Sequence, residues 1–138
     1  CISTGSRPFT PPIEGLHETG FITNEEVFHL QELPKRLIVL GAGAIGLELG
    51  QSFFRFGSKV TVVEMAERVL IKEDEEVSAL MDKLLQAEGV EILTKTKAVK
   101  VHKTADGTKV VTVESDGKTF EIEGDEILAA VGRQPNIN

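Results

Sequence analysis

A chain of 138 residues, 41% of them hydrophobic, can bury one core of ordinary domain size and has little room for a second. Its formal net charge of −7 disfavours nucleic acid and anionic membranes as partners, because both are negatively charged. The single cysteine, Cys1, excludes an internal disulfide and a cysteine-based metal site. No apolar run approaches the ~20 residues of a membrane span. The composition therefore predicts a soluble, cytoplasmic protein without a metal.

The first 34 residues are predicted to form a connecting segment. Residues 3–20 are rich in Gly, Pro, Ser and Thr, which is typical of irregular structure. Thr23 and Asn24 can then cap a short helix that runs to about Leu30, and Pro34 ends the segment.

A strand, a glycine-rich turn, a helix and a second strand are predicted next. Residues 37–40 form a continuous apolar run that ends at Gly41, as in a parallel strand buried on both faces. Apolar residues then recur at helical spacing until Gly57, namely Ile45, Leu49, Phe53 and Phe56. Residues 60–63 form the second apolar run, which completes a βαβ unit.

The second half of the chain changes its periodicity. A helix is predicted from about Asp74 to Glu88, with Val77, Leu80, Met81, Leu84 and Leu85 on one face. Residues 90–93 form a third parallel strand candidate. Three segments with a period of two follow, separated by turns at residues 106–107 and 116–117, and they predict an antiparallel meander. Residues 127–131 return as a buried strand.

The glycines Gly41, Gly43 and Gly46 match the G-x-G-x-x-G pattern between the first predicted strand and the helix. In dinucleotide-binding domains the first glycine permits the tight turn, the second admits a pyrophosphate, and the third lets helix and strand pack closely. Glu64 ends the second strand, where an acidic side chain can bind a ribose. The fold class is therefore α/β, a Rossmann-like three-layer domain with a parallel sheet and an antiparallel β-meander. A simple turn with a solvated Glu64 remains the alternative.

Three segments resemble the pyridine nucleotide-disulfide oxidoreductases: LIVLGAGAIGLE at residues 37–48, STG at 3–5 and GRQPN at 132–136. In that family an NAD(P) domain interrupts an FAD domain, and motifs like the two short segments mark the boundaries. The resemblance implies a connecting segment from the FAD domain at residues 1–34, an NAD-binding domain at 35–132 and a return segment at 133–138. With its start at Cys1, the chain is expected to be part of a longer protein.

The resemblance also implies which residues bind the cofactor. The turn and first helical residues would face the pyrophosphate and the nicotinamide; they are Gly41, Ala42, Gly43, Ala44, Ile45, Gly46, Leu47 and Glu48. Glu64 would bind the adenosine ribose, Ala98 the adenine through its backbone, and Gly132 would lie near the nicotinamide. Glu48 is otherwise explained by its place in a first helical turn, where the helix dipole favours acidic residues. Arg133 is either a phosphate or flavin-side contact or a boundary residue whose partners lie outside this chain.

The function implied by the resemblance is binding of NAD(H) for hydride exchange with an FAD held elsewhere in the parent protein. The parent is expected to resemble dihydrolipoamide dehydrogenase, to be a homodimer, and to supply the FAD and interface domains. A mercuric reductase-like parent is the runner-up, and a non-catalytic NAD-binding or NAD-sensing module is a third possibility. The chain alone is expected to be inactive, with no catalytic residue of its own. Glu64 predicts a preference for NAD(H) over NADP(H), because its negative charge would repel the 2′-phosphate of NADP(H). The nearest arginine along the chain, Arg68, lies four residues away and is not expected to offset that repulsion.

Overall fold

The computed structural model describes Cys1 and residues 3–137. Ile2 and Asn138, which belong to the two predicted boundary segments, lie outside the described residues. Three helices, one 3₁₀ turn and nine strands occur in this part of the chain. Their bounds are β1 Ser6–Pro8, α1 Leu16–Thr19, a 3₁₀ turn Glu26–His29, β2 Arg36–Leu40, α2 Ala44–Phe56, β3 Lys59–Val63, α3 Glu75–Glu88, β4 Glu91–Leu93, β5 Lys97–Lys103, β6 Lys109–Ser115, β7 Lys118–Gly124, β8 Glu126–Ala129 and β9 Arg133–Pro135. No helix among these is long and apolar enough to cross a membrane.

A four-stranded parallel sheet with the order β4-β3-β2-β8 forms the centre of the domain. The predicted strands at residues 37–40, 60–63 and 90–93 are confirmed to within a residue. The last strand is shorter than the predicted 127–131: it ends at Ala129, which pairs with Leu40, the final residue of β2. Beyond that pair no strand of the described residues continues the ladder, and Val131 is 40% exposed.

The sheet lies between two other layers, which confirms the three-layer α/β fold. Side chains that point to the helices form one apolar cluster with Leu47 and Leu85. The other face of the sheet packs against the antiparallel meander β5-β6-β7 through a second cluster that includes Val101, Val111 and Val113. The turns predicted for the meander lie between its strands.

The apolar face predicted for α2 differs from the one that is buried. Phe56 is 72% exposed, and the buried positions of the helix are Gly46, Leu47 and Gly50. A Cβ atom on Gly50 would lie 3.6 Å from side-chain atoms of Val39 and Val60. The helix therefore approaches the sheet through its small residues, and the larger apolar residues flank the contact.

The face predicted for α3 is also only partly correct. Val77, Leu80 and Leu84 are 46%, 57% and 49% exposed, whereas Leu85 is buried. The helix is rotated so that Ser78 faces inward, and its hydroxyl donates to the buried carbonyl of Val69 at 2.5 Å. A specific polar contact therefore contributes to the helix orientation that the apolar pattern alone did not predict.

Within the predicted connecting segment 1–34, the described residues contain more regular secondary structure than predicted. The segment contains β1 and α1, and Leu16 of α1 is fully buried in the cluster on the meander side. Ile22 forms a parallel bridge to Leu128 beside the edge of the sheet. The helix expected to run to Leu30 is a single 3₁₀ turn, and the Thr23 hydroxyl accepts a hydrogen bond from the Glu25 amide just before it.

Candidate functional site: a dinucleotide cradle

The glycine turn lies where β2 ends, between its two neighbouring strands β3 and β8. The Gly41 amide donates to the carbonyl of Val63 at the end of β3, at 2.8 Å. On the other side, a Cβ on Gly41 would lie 2.5 Å from the carbonyl oxygen of Ala130, and its φ of +103° suits glycine. Because the chain leaves β2 toward β3 while β8 lies on the opposite side, the turn occupies a topological switch point, where open α/β sheets bind ligands.

Gly46 lets α2 start directly against this turn. A Cβ atom on Gly46 would lie 2.1 Å from the carbonyl oxygen of Gly41. No side chain could occupy that space without separating the helix from the strand. The expected role of the third glycine, close packing, therefore agrees with the geometry.

Gly43 differs from the other two glycines because neither its backbone angles nor a neighbouring atom of the described chain requires a glycine at this position. Its φ of −78° and ψ of −176° suit any residue, and no atom lies within 4 Å of an added Cβ. The open space faces the N-terminus of α2, which has no side-chain cap, so the amides of its first turn are free to bind an anion. Open space beside free amides is the arrangement that a bound pyrophosphate requires.

The other residues of the turn and first helical turn differ in what they expose. Ala42 is 1% exposed and Leu47 is 4% exposed, so the side chains of these two residues are buried and not available to a cofactor. Ala44 and Glu48 are exposed, and Ile45 is half-buried. The Glu48 side chain is therefore free to meet a ligand or another part of a larger protein.

Glu64 is bound to the glycine turn. One of its carboxylate oxygens accepts from the Ala42 amide at 2.7 Å, and the other accepts from the Ala66 amide at 2.8 Å. A carboxylate has about four lone-pair sites, so two remain for the hydroxyls of a ribose. The alternative of a solvated Glu64 does not agree with these contacts, which hold the side chain beside the turn.

Three backbone contacts around Glu64 have no signal in the sequence pattern. The Leu70 amide donates to the Ala42 carbonyl at 2.9 Å. From the segment after β4, the Thr96 amide donates to the Glu64 carbonyl at 2.9 Å, and the Lys95 amide donates to the Ala66 carbonyl at 2.8 Å. The turn, the loop after β3 and the segment after β4 therefore form one connected surface.

Ala98 and Gly132, the two remaining predicted cofactor residues, lie in other parts of the fold than the glycine turn. Ala98 is half-buried in β5, pairs with Val113 and precedes a register shift. Gly132 is exposed with a φ of +133°, and its carbonyl accepts from the Phe9 amide at 3.0 Å. Among the described residues, no hydrogen bond joins either of them to residues 41–48.

Arg133 contacts the other end of the chain. Its guanidinium donates to the hydroxyl and carbonyl oxygens of Ser6, at 2.8 and 2.6 Å, and to the Asn24 side chain at 3.3 Å. β1 and β9 pair in an antiparallel arrangement around this contact. Arg133 therefore has partners within the chain, and its contacts join β9 to β1.

The fold and the glycine turn together define a Rossmann-like α/β domain with a candidate ligand site at the ends of its parallel strands, and comparison with known proteins identifies its family. The family model described as pyridine nucleotide-disulphide oxidoreductase matches residues 1–138, and the chain belongs to that family. A dihydrolipoyl dehydrogenase from Thermus scotoductus is 42% identical over 142 residues, covering 97% of this chain and 29% of the relative. A mercuric reductase from Staphylococcus aureus is 36% identical over 135 residues, covering 98% of this chain and 24% of the relative.

Solved structures show the same fold. The Cu(II) complex of the HOCl-induced flavoprotein disulfide reductase RclA from Escherichia coli superposes with a TM-score of 0.84 at 33% identity, covering 98% of this chain and 30% of that one. An NAD-dependent persulfide reductase from A. fulgidus superposes with a TM-score of 0.81 at 32% identity, covering 96% of this chain and 25% of that one. The chain thus spans well under half the length of these relatives.

Proposed function

We propose that this chain is the NAD(H)-binding domain of an FAD-dependent disulfide oxidoreductase, in which it positions the nicotinamide for hydride exchange with the flavin. The observation that carries the proposal is the open space at Gly43, where an added Cβ would meet nothing within 4 Å. A glycine that the fold itself does not require is explained by a ligand that needs the room. The uncapped N-terminus of α2 offers amides to the negative charge of a pyrophosphate.

The chain's own residues supply binding and orientation. The first-turn amides of α2 would bind the two phosphates, Glu64 would accept the ribose hydroxyls, and the turn would direct the rest of the molecule across the carboxyl ends of the strands. Glu48, which is exposed on α2 just after its first turn and not within that turn as the sequence predicted, is proposed to lie on the nicotinamide side. When bound, the nicotinamide supplies the hydride chemistry, as cofactors do in such enzymes.

A dihydrolipoamide dehydrogenase-like parent is proposed, with a mercuric reductase-like parent as the second candidate. The Thermus scotoductus dehydrogenase is 42% identical to this chain, and a mercuric reductase from Bacillus cereus is 39% identical. The higher sequence identity to the dehydrogenase favours the first parent. In either parent the electron acceptor and FAD would bind outside this domain, and the parent would be a homodimer.

The proposal is tested by titrating NAD⁺ into the purified chain and into Gly43→Val by calorimetry. The valine should abolish detectable binding because its side chain would fill the space of the pyrophosphate. The helical circular dichroism signal should be unchanged, because the backbone at this position suits valine and no atom opposes it. Ala79→Val, which adds bulk at an exposed position of α3, serves as the matched control and should bind like the wild type.

Unchanged affinity in Gly43→Val would place the ligand elsewhere and contradict the proposal. A further measurement separates an enzyme domain from a non-catalytic binding module. In the full-length parent, NADH should bleach a flavin absorbance band. A parent that binds NADH but carries no flavin would instead support the non-catalytic module.

A further inference from the structure

The loop at residues 64–74, between β3 and α3, has no regular secondary structure but forms part of the cradle. Leu70 within it has a φ of +47°, the left-handed region that residues other than glycine seldom adopt. Such a conformation persists only where surrounding contacts hold it. The loop must therefore be stabilised by specific interactions.

Arg68 provides these interactions from within the loop. Its guanidinium donates to the backbone carbonyls of Leu70 at 3.3 Å, Ile71 at 3.3 Å and Glu73 at 3.1 Å. None of the ion pairs found among the described residues includes Arg68. The planar guanidinium presents several donors in a fixed arrangement, so one side chain can bind several carbonyls at once.

The loop held by Arg68 contacts the middle of the glycine turn from two sides. The Leu70 amide donates to the Ala42 carbonyl at 2.9 Å, and the Glu64 carboxylate accepts from the Ala42 amide at 2.7 Å. Both backbone polar groups of Ala42 are thus bound by residues 64–70. The conformation of the turn depends on the conformation of the loop.

We propose that Arg68 is a positioning residue for the dinucleotide, an inference that rests on the proposed function. Arg68 holds the loop, and through Leu70 and Glu64 it holds Ala42 and the glycine turn in the geometry that receives the cofactor. Without it the loop must be ordered when the ligand binds, and the cost of that ordering lowers the affinity. Arg68 itself touches no ligand in this scheme.

The test is calorimetric titration of NAD⁺ into the 138-residue chain and its Arg68→Gln variant. The glutamine should weaken NAD⁺ affinity by about tenfold, the effect expected when a loop must be ordered on binding. Arg68→Lys keeps the charge but loses the planar fork, so it should recover only part of the affinity. Arg55→Gln is the matched control, because Arg55 is an exposed partner of Glu88 at the opposite end of α2. The NAD⁺ affinity of this variant should equal that of the wild type.

Amide hydrogen exchange separates positioning from general destabilisation. In Arg68→Gln the Leu70 amide should exchange faster, while the amides of Ile38 and Val62 in the central sheet keep their protection. A role in global stability would instead accelerate the exchange of all three amides together and overturn the inference.

If Arg68→Gln does not fold, the NAD⁺ affinity of Arg68→Lys is the test, since wild-type affinity in that variant would also overturn the inference. A wild-type chain that binds no NAD⁺ would overturn the proposed function as well, whereas wild-type binding with an unaffected Arg68→Gln would overturn this inference alone.

Discussion

Glu64 is the residue on which we propose that the choice between NAD(H) and NADP(H) depends. Its carboxylate is held beside the glycine turn by the amides of Ala42 and Ala66. The hydroxyls of a ribose can donate to its free lone pairs, whereas a 2′-phosphate would bring two negative charges together. Arg68 does not offset this repulsion, because its guanidinium is bound to carbonyls of its own loop.

We therefore expect the wild-type chain to bind NAD⁺ about tenfold more tightly than NADP⁺, a difference of ~1.4 kcal/mol. Glu64→Gln should narrow the difference, because the amide keeps an acceptor oxygen but removes the charge. Calorimetric titration of both cofactors into each variant measures this. Glu67→Gln removes an exposed carboxylate three residues away and is the control. Equal affinities in the wild type, or a preference that survives Glu64→Gln, would contradict the assignment.

The junction of β2 and α2 shows that the glycines of one motif have different physical roles. Gly46 is required by the fold, because a Cβ there would meet the Gly41 carbonyl oxygen at 2.1 Å. Gly43 is not required by the fold, because its backbone suits any residue and the space around it is open. Stability and binding should therefore respond to different members of the motif.

Gly46→Ala should lower the free energy of unfolding by about 1–3 kcal/mol, since the added methyl group must push α2 away from the turn. Gly43→Ala is the matched variant, with the same chemical change and no steric conflict, and it should lower the stability less than Gly46→Ala, because only the N-cap preference for glycine opposes it. Urea unfolding followed by circular dichroism measures both. Similar losses in the two variants would show that the helix does not pack against the turn as described.

At the scale of the whole molecule, an ion-pair group at the start of β2 joins two of the three layers, the central sheet and the meander. The Arg36 guanidinium contacts Glu123 at 3.1 Å and Asp125 at 2.9 Å, and the Arg36 amide donates to the second Asp125 oxygen at 2.8 Å. These contacts connect the central sheet to the end of the meander. The hydrogen bond from the Arg36 side chain holds the pKa of Asp125 below its ordinary value of 3.8, although partial burial opposes the shift.

This shift predicts how the stability of the domain depends on pH. Because the pKa of Asp125 is lower in the folded chain, its contribution is fully present above the unfolded value and is lost as pH falls through the folded value. Asp125→Asn should therefore lower the urea midpoint at pH 7 and lower it less at an acidic pH below the ordinary value of 3.8, because the stabilising contribution of the carboxylate is lost progressively as pH falls. Asp82→Asn, on α3, is the control for loss of one carboxylate. Equal effects of Asp125→Asn at both pH values would mean that charge is not the source of its contribution.

The agreement between sequence and structure is greatest where a signal is local. The apolar runs at residues 37–40 and 60–63, the glycine spacing and the turns of the meander each depend on neighbours along the chain, and the corresponding elements are confirmed. The family also followed from short segments and is shown by the match over residues 1–138. The assignments of individual residues to the cofactor remain predictions.

Contacts between distant parts of the chain decided the rest. Periodicity indicated that α2 and α3 are amphipathic, but it did not indicate which face of each helix is buried. In α2, Gly50 is buried and Phe56 is exposed, because the small residue allows the helix to approach the sheet. In α3, Ser78 is buried and Leu80 is exposed, because the serine hydroxyl donates to a neighbouring carbonyl. Composition made residues 3–20 look like a linker, yet Leu16 is buried there because the meander provides an apolar surface for it. The binding of Ala42 by Leu70 and Glu64 has no sequence pattern, since a backbone amide or carbonyl has the same chemistry whichever residue carries it. Residue types therefore determine what each segment can form alone, and only the folded chain determines which backbone groups and faces meet.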